Sequence, residues 1–321
     1  MHAIFNRRRL LAIALSLPFA AAAFPDKTIE WVVPYPAGGG SDVVARTLAE
    51  PMGKLLGQTI VVNNKPGAAT NIGADYVAKA KADGHVMLTA DTATLAANPF
   101  LYAKLPYDVE KDFAPVGLMA RFPMLLVVNA AVPAKTLAEF TAWAKAQPGG
   151  INYATPGSGS PHHLATELFR ERSGLKLAHV PYRGAAPAVQ DVIGGQVPFM
   201  FADTASAYPH ILSGKLRAIG VASPKRVAGF DTVPTLAEQG MKDFEAYAWQ
   251  GLVVPAATPP AAVATLNKAL VAALGTTAVK ARFQTLGLEA LTSTPAQMVA
   301  YAKGEREKWG QVIRANNIRL D

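Results

Sequence analysis

A glycine-rich stretch at residues 34–42 has the residue types and spacing of an anion-binding loop. Gly38, Gly39 and Gly40 carry no Cβ atoms that would keep a ligand away from the backbone. The apolar residues that follow recur at helical spacing, so the glycines precede the first turn of a predicted helix. That turn presents unpaired N–H groups and the positive end of the helix dipole. The stretch therefore predicts a site for an anionic group, with a plain strand–helix turn as the alternative.

Two nucleotide-binding interpretations of this loop are disfavoured. A P-loop needs a lysine directly after its glycines, and none follows here. A dinucleotide loop needs a third glycine where Val43 stands. We therefore expect no cofactor at this position.

A second stretch, at residues 155–163, repeats the pattern of glycines and hydroxyls ahead of a helix. Ser160 is a good N-cap, and Pro161 is a good first helical residue. A serine nucleophile on a strained elbow would need a glycine where Pro161 stands. His162 and His163 are adjacent, so on a helix they point about 100° apart and cannot chelate one metal ion alone. We expect no catalytic residue and no metal site, and we expect one of the two histidines to face a cleft.

Six further side chains lie at strand exits or in a predicted crossover and are candidate ligand contacts. Each has a structural alternative: packing for the aromatic residues, helix capping for the acidic ones and a solvated position for the arginine. The candidates are Tyr35, Asp91, Thr92, Arg183, Asp203 and Trp249. Asp42 and Arg46 stand four residues apart on the first predicted helix, and we expect them to pair with each other.

The first 23 residues have the pattern of a signal peptide. Three arginines at 7–9 precede an apolar run at 10–20 that is too short to span a membrane, and small residues precede Phe24. We expect cleavage near Ala23 and export to the periplasm by the general or the twin-arginine route. No later run is long and apolar enough to cross a bilayer, so we expect a soluble mature chain.

The composition argues against a nucleic-acid partner and against thiol chemistry. The formal charge of +8 falls to +5 when the three arginines at 7–9 leave, and the remaining Lys and Arg residues are scattered. They form no basic stripe with interleaved aromatic residues. The sequence has no Cys, so disulfides are unavailable. A mildly basic surface favours anionic small molecules.

Strand-like and helical segments alternate through most of the chain, which predicts an α/β fold with a mostly parallel sheet in each of two lobes. Separate strands are predicted at 116–119 and 125–129, on either side of Phe122 and Pro123. Ligands bind at the carboxyl ends of strands in open α/β sheets, so the two glycine-rich loops would meet across a cleft. We expect residues 24–122 and 250–321 to form the first lobe and residues 123–249 the second.

Several segments resemble one family along nearly all of the predicted mature chain. They are 33–42 (VPYPAGGGSD), 64–68 (NKPGA), 98–99 (NP), 153–160 (YATPGSGS), 163–165 (HLA), 180–184 (VPYRG), 194–197 (GGQV), 209–211 (PHI) and 255–260 (PAATPP). In order and spacing they resemble the periplasmic solute-binding proteins of tripartite tricarboxylate transporters, of the Bug type.

This resemblance implies a Venus-flytrap binding protein, similar to type II periplasmic binding proteins, rather than an enzyme. It implies an organic carboxylate ligand, either a di- or tricarboxylate or an aromatic acid, which the protein delivers to the membrane subunits of the transporter. We expect a monomer. One jaw of the cleft would consist of Ala37, Gly38, Gly39 and Ser41, and the other of Thr155, Ser158, Ser160 and His162.

The chain departs from the family pattern at three positions. His162 stands where Ser or Asn is frequent, Thr70 stands where Gly is usual, and Ala202 stands where an Asp often follows the Phe. The missing acidic residue weakens an ammonium-binding role, so the departures favour a ligand without an amine. Two alternatives stay open: a ligand receptor for periplasmic signalling, and a hydrolase using Ser158 or Ser160 with a histidine.

Overall fold

The computed structural model describes residues 24–320, so the predicted signal peptide lies outside the described residues. The strands are β1 (Ile29–Val33), β2 (Ile60–Asn64), β3 (Val86–Asp91), β4 (Phe113–Asn129), β5 (Ile151–Thr155), β6 (Leu177–Pro181), β7 (Phe199–Asp203), β8 (Leu216–Val221), β9 (Tyr247–Pro255) and β10 (Glu289–Ala290). The α-helices are α1 (Gly40–Leu56), α2 (Asn71–Ala78), α3 (Asn98–Leu101), α4 (Leu137–Lys145), α5 (Pro161–Ser173), α6 (Ala185–Ile193), α7 (Thr204–Leu212), α8 (Pro260–Leu274), α9 (Thr277–Thr285) and α10 (Pro295–Ala315). A 3-10 turn at Ala68–Thr70 precedes α2, and a π-helical segment at Thr92–Ala97 precedes α3.

The strands form a mixed sheet in the order β2-β1-β3-β9-β4-β7-β5-β6, with β8 and β10 both paired to β4. β1 pairs in parallel with β2 and β3, and β5 pairs in parallel with β6 and β7. The strands between these groups, β4 and β9, pair antiparallel with each other and with their outer neighbours. Each lobe of this two-lobed α/β fold therefore has its own parallel βα units, and antiparallel strands join the lobes.

β4 is one strand of 17 residues, although the sequence predicts two. Its residues up to Pro123 pair with β9, and those from Met124 onward pair with β7. Pro123 has no N–H to donate to a sheet, and it stands in the last pair with β9, where β4 changes partner. The proline therefore marks the passage between lobes without ending the strand.

Helix ends follow short-range signals in the sequence. Ser160 caps α5 by accepting a hydrogen bond from His163 N–H at 3.3 Å, and Pro161 is the first helical residue, which confirms that prediction. Thr136 caps α4 in the same way. Gly57 follows the last residue of α1, and its φ of 68° favours glycine. Local hydrogen bonds therefore set the helix starts that the cleft depends on.

Apolar packing covers both faces of the sheet. Val44 and Leu48 of α1 pack with Leu266 of α8 on one face. On the other face, Trp309 of α10 belongs to a core that also contains Phe169 of α5, so the C-terminal helix contributes to a core shared by both lobes. None of the described helices is by itself long and apolar enough to cross a membrane. The consecutive helices α8 and α9 meet that criterion only as a pair, with a 66° bend between them.

Candidate functional site

A cleft lies between the glycine-rich loop before α1 and the strand exits of the second lobe. β4 and β9 contribute Phe122, Ala248 and Gln250 to its walls. Eight of the predicted ligand contacts line it: Tyr35, Ala37, Gly39, Ser41, Asp91, His162, Arg183 and Asp203. The tertiary structure thus brings residues from both predicted jaws to one place, and their roles in binding stay predictions.

The first loop is held by Asp42, whose carboxylate collects three donors. It accepts from Gly38 N–H at 2.9 Å, from Arg46 Nε at 3.0 Å and from Asn64 Nδ2 at 2.9 Å, which confirms the predicted Asp42–Arg46 pair. Burial opposes the charge, but these donors lower the pKa of Asp42 from its usual value. Gly38 has a φ of 85°, which favours glycine, and its N–H is used inside the loop. Gly38 therefore forms the turn and is not among the described residues that line the cleft.

α1 begins at Gly40 behind Gly39, and no described side chain caps it. Its first N–H groups and the positive end of its dipole are therefore open to an anion. A Cβ atom at Gly39 would meet Pro36 O at 3.8 Å and nothing closer, so this position adjoins free space. A Cβ atom at Gly40 would lie 2.9 Å from Phe122 Cε1 and 3.1 Å from Asp203 Oδ1. The two lobes thus approach closely at Gly40, whereas Gly39 leaves room for a ligand.

The partly buried Tyr35 and the buried Asp91 form a pair on the first-lobe wall. Tyr35 OH donates to Asp91 Oδ2 at 2.6 Å, and Asp91 Oδ1 accepts from the N–H and the hydroxyl of Thr94, each at 2.9 Å. Burial raises the pKa of Asp91, and burial together with the Asp91 charge raises the pKa of Tyr35 well above its usual value. The Tyr35 hydroxyl is therefore neutral and already engaged, which leaves its ring to contact a ligand.

His162 and Asp203 form a pair on the opposite wall. His162 Nε2 lies 3.2 Å from Asp203 Oδ2. Asp203 also caps α7, accepting from Ser206 N–H at 2.8 Å and from Ser206 Oγ at 2.6 Å. Burial opposes the charge on Asp203, but His162 and Ser206 lower its pKa, so it is a carboxylate at neutral pH. Asp203 therefore both caps α7 and forms part of the cleft wall.

Arg183 lines the same cleft from an exposed position between β6 and α6. Its guanidinium makes no hydrogen bond or ion pair within the described part of the chain. Gly184 next to it brings the second lobe against the first loop, since a Cβ atom there would lie 3.3 Å from Pro36 Cγ. An unpaired guanidinium at this position favours an anionic ligand.

The structure does not bring Thr155, Ser158 or Ser160 to the cleft surface. Thr155 Oγ1 lies 2.6 Å from His179 Nε2, behind the loop, and Ser160 is used as the cap of α5. Ser158 is partly exposed beside them. Thr155 and Ser160 therefore stabilise the loop and the start of α5, whereas Pro156 and Pro161 line the cleft. Of the residues predicted for this jaw, only His162 lines the cleft.

Two stacked imidazoles support the second loop from behind. The rings of His163 and His179 are 4.0 Å apart, and Tyr153 stacks on His179 at 5.0 Å. Gly159 N–H donates to His163 Nδ1 at 3.1 Å. Burial lowers the pKa of His163 to about 3 and that of His179 to about 4, so both rings are neutral at pH 7. As expected for neighbours on a helix, His162 and His163 diverge: one lines the cleft, and the other supports the loop.

Trp249 points away from the cleft, contrary to the use predicted for it. Side chains alternate between the faces of β9, so Ala248 and Gln250 line the cleft. Trp249 packs edge-on against Tyr301 of α10, with 5.2 Å between ring centroids, and its backbone N–H donates to Thr92 Oγ1 at 3.1 Å. Trp249 and Thr92 therefore stabilise the strand exit from behind. On β9, Ala248 and Gln250 line the cleft in place of Trp249.

Gln250 is the main polar residue that sequence analysis missed. Its Nε2 lies 2.5 Å from Ser41 Oγ, and its Oε1 is buried without a partner among the described residues. The two residues are 209 positions apart, so no local motif indicates their contact. The available signal was the alternation along β9, which assigns Ala248 and Gln250 to the same face.

The cleft is equipped to hold an anion rather than to catalyse a reaction. It combines an uncapped helix N-terminus, an unpaired guanidinium and a buried imidazole. Within residues 24–320, no three His, Cys, Asp or Glu side chains are grouped so that they could hold a metal ion. The serine hydroxyls considered for nucleophilic attack do not reach the cleft surface.

Comparison with known proteins gives the family. The model described as the tripartite tricarboxylate transporter family receptor matches residues 44–318. The solved structure of the periplasmic binding protein BugD is 35% identical, covers 92% of this chain and 100% of its own, and superposes with a TM-score of 0.87. Rpa4515 of R. palustris, solved with adipate, is 32% identical, with coverages of 92% and 100% and a TM-score of 0.89. MatC from Rhodopseudomonas palustris, solved with bound malate, is 34% identical, with coverages of 90% and 100% and a TM-score of 0.84.

These matches extend along both lobes and include the cleft. Members of the family are periplasmic solute-binding proteins and not enzymes. This chain therefore belongs to the tripartite tricarboxylate transporter receptor family, of the Bug type.

Proposed function

We propose that this protein captures a small organic dicarboxylate in the cleft and delivers it to the membrane subunits of a tripartite tricarboxylate transporter. The observation that carries the proposal is the uncapped N-terminus of α1, which shares one cleft with the unpaired Arg183. One carboxylate would accept from the backbone N–H groups near Gly39 and Ser41. Each charge-assisted hydrogen bond of this kind contributes about 1.5–3 kcal/mol.

The apolar part of the cleft suits the carbon chain between two acidic groups. Phe122, Ala248 and Pro187 line it together with the polar residues. Two related proteins have been solved with dicarboxylates, namely adipate and malate. The polar groups at separate points of the walls, with apolar surface between them, favour the same class of ligand here.

Ligand capture would work by closure of the two lobes, which we assign to residues 24–122 with 250–321 and to residues 123–249. β4 and β9 connect them, with Pro123 opposite Tyr247 at the crossing. A ligand that contacts both Gly39 and His162 stabilises the closed arrangement, because opening separates it from one of the two lobes. We assign the mature receptor to the periplasm as a monomer, after removal of residues 1–23.

Binding is tested by calorimetry and thermal shift with adipate, malate and aromatic acids. Gly39→Leu is the informative variant, since its backbone φ of −83° tolerates a side chain and that side chain would fill the space before α1. Gly304→Leu is the matched control, because Gly304 lies on α10 and a Cβ atom there meets nothing within 4 Å. We expect the wild type and the control to be stabilised by at least one dicarboxylate, and Gly39→Leu to fold but not to respond. A folded wild-type protein that binds none of these acids would contradict the proposal.

A further inference from the structure

We infer that His162 recognises the second carboxylate of the ligand and takes up one proton at Nδ1 when the ligand binds. This inference rests on the proposed function, and it names the group that selects dicarboxylates over monocarboxylates.

The hydrogen-bonding arrangement determines which ring nitrogen of His162 a ligand can use. Nε2 lies 3.2 Å from the Asp203 carboxylate, which already accepts two hydrogen bonds from Ser206. A carboxylate can only accept, so Nε2 carries a proton. The other nitrogen, Nδ1, is buried and has no hydrogen-bond partner among the described residues, and only 8% of His162 is exposed. Since His162 lines the cleft, Nδ1 is a polar atom that a bound ligand can satisfy.

The protonation state of Nδ1 decides which ligand group fits. In a neutral ring whose Nε2 carries the proton, Nδ1 is an acceptor and repels a carboxylate. A proton taken from solvent bonds to the Nδ1 lone pair, makes it a donor and gives the ring a positive charge. A carboxylate then forms a charge-assisted hydrogen bond to Nδ1. A monocarboxylate that binds only at the N-terminus of α1 has no group to complete this contact.

The charged groups around His162 are arranged to permit this step. Asp203 stabilises a cationic ring directly, and the ligand carboxylate would add a second negative charge. Arg183 lines the same cleft and opposes the positive charge on the ring until the ligand carboxylate offsets it. Asp91 and Tyr35 face the cleft from the first lobe, and β4 and β9 contribute no titratable side chain to its lining. Proton uptake is therefore coupled to the arrival of the ligand.

Calorimetry measures the proton directly. Adipate and malate are titrated into the wild-type protein from pH 7 to 8.5 in Tris and in triethanolamine, two cationic buffers with different ionisation enthalpies. The matched monocarboxylates are hexanoate and 3-hydroxybutyrate. We expect the difference in binding enthalpy between the two buffers to correspond to the uptake of about one proton per dicarboxylate at the alkaline end of this range. The affinity for the dicarboxylate should fall up to about tenfold per pH unit there. The monocarboxylates should show less than a third of this uptake.

His162→Asn supplies the second readout, because its amide N–H replaces the Nδ1 donor and cannot titrate. We expect this variant to bind dicarboxylates with no buffer-dependent enthalpy and a flat pH profile. Dicarboxylate binding by the wild type without proton uptake would overturn the inference while leaving the proposed function intact. Uptake that persists in His162→Asn would overturn it as well. Absence of binding by any of the acids would overturn the proposed function and this inference together.

Discussion

Acidification from pH 7 to pH 5 should destabilise this protein because the buried His163 and the half-buried His179 must stay neutral in the folded state. His163 and His179 support the second loop by hydrogen bonds to Gly159 and Thr155. A histidine in the unfolded chain has a pKa of about 6.5. Below that pH the unfolded chain therefore binds protons that the folded protein does not bind. The stability that these rings provide is thus complete above pH 6.5 and declines as the pH falls toward their folded pKa values of about 4 and about 3.

The size of the effect follows from proton linkage. For His163, integration between pH 7 and pH 5 gives a loss of about 2 kcal/mol in the free energy of unfolding. His179 is only half-buried, so solvent screening reduces its share to roughly half of that value. The total of about 3 kcal/mol is a large part of a typical stability of about 5–15 kcal/mol. Asp42 and Asp203 have lowered pKa values and so titrate below this window, while the raised pKa of Asp91 acts in the opposite direction and reduces the loss.

Urea unfolding at pH 5, 6 and 7, with ligand absent, measures this loss as a change in midpoint at constant slope. The double variant His163→Asn and His179→Gln is the comparison, because the Asn oxygen replaces the Nδ1 acceptor and the Gln amide replaces Nε2. Neither new side chain titrates, so the variant should be less stable at pH 7 but should lose less than about 1 kcal/mol on acidification. Wild-type stability that stays level from pH 7 to pH 5 would refute the reasoning. An equal loss of stability from pH 7 to pH 5 in the double variant would assign the effect to other groups.

Three further predictions concern the cleft. Gly40→Ala should lower the melting temperature of the ligand-free protein, because its Cβ atom would lie 2.9 Å from Phe122 Cε1 of the same lobe. It should also weaken dicarboxylate binding by about 1–3 kcal/mol, because the same atom would lie 3.1 Å from Asp203 Oδ1 of the second lobe. Scanning calorimetry measures the first effect and titration calorimetry the second, and unchanged affinity would contradict close approach of the lobes. Arg183→Gln should weaken dicarboxylate binding about fivefold at low salt and less at high salt, whereas a salt-independent loss would exclude an electrostatic role. Asp42→Ala should lower stability by about 2 kcal/mol through the loss of its buried hydrogen bonds, measured by urea unfolding.

Much of the secondary structure is predictable because its causes lie within a few residues. Ser160 and Thr136 cap their helices through N–H groups three residues ahead, and Gly57 ends α1 through its own backbone freedom. The glycine-rich stretch before α1 likewise predicts a helix N-terminus with unpaired N–H groups. These features depend on local hydrogen bonds and steric limits, which the sequence expresses directly.

Other features depend on which strands become neighbours. The sequence divides β4 at Pro123, but pairing with β9 on one side and β7 on the other keeps the strand continuous. The sequence pattern also predicts Trp249 as a ligand contact, although Gln250, the next residue of β9, lines the cleft instead. Neither choice has a local cause, because both follow from the order of strands in the sheet.

The sequence by itself determined that a glycine-rich helix start would present N–H groups to an anion, because that property belongs to any uncapped first turn. The tertiary structure decided which groups stay available to a ligand. Asp42 removes Gly38 N–H from the site, and Thr155 turns its hydroxyl to His179 behind the second loop. Only the packing of the two lobes brings the His162–Asp203 pair opposite Gly40, since contacts between residues more than a hundred positions apart depend on the sheet order and not on any local pattern.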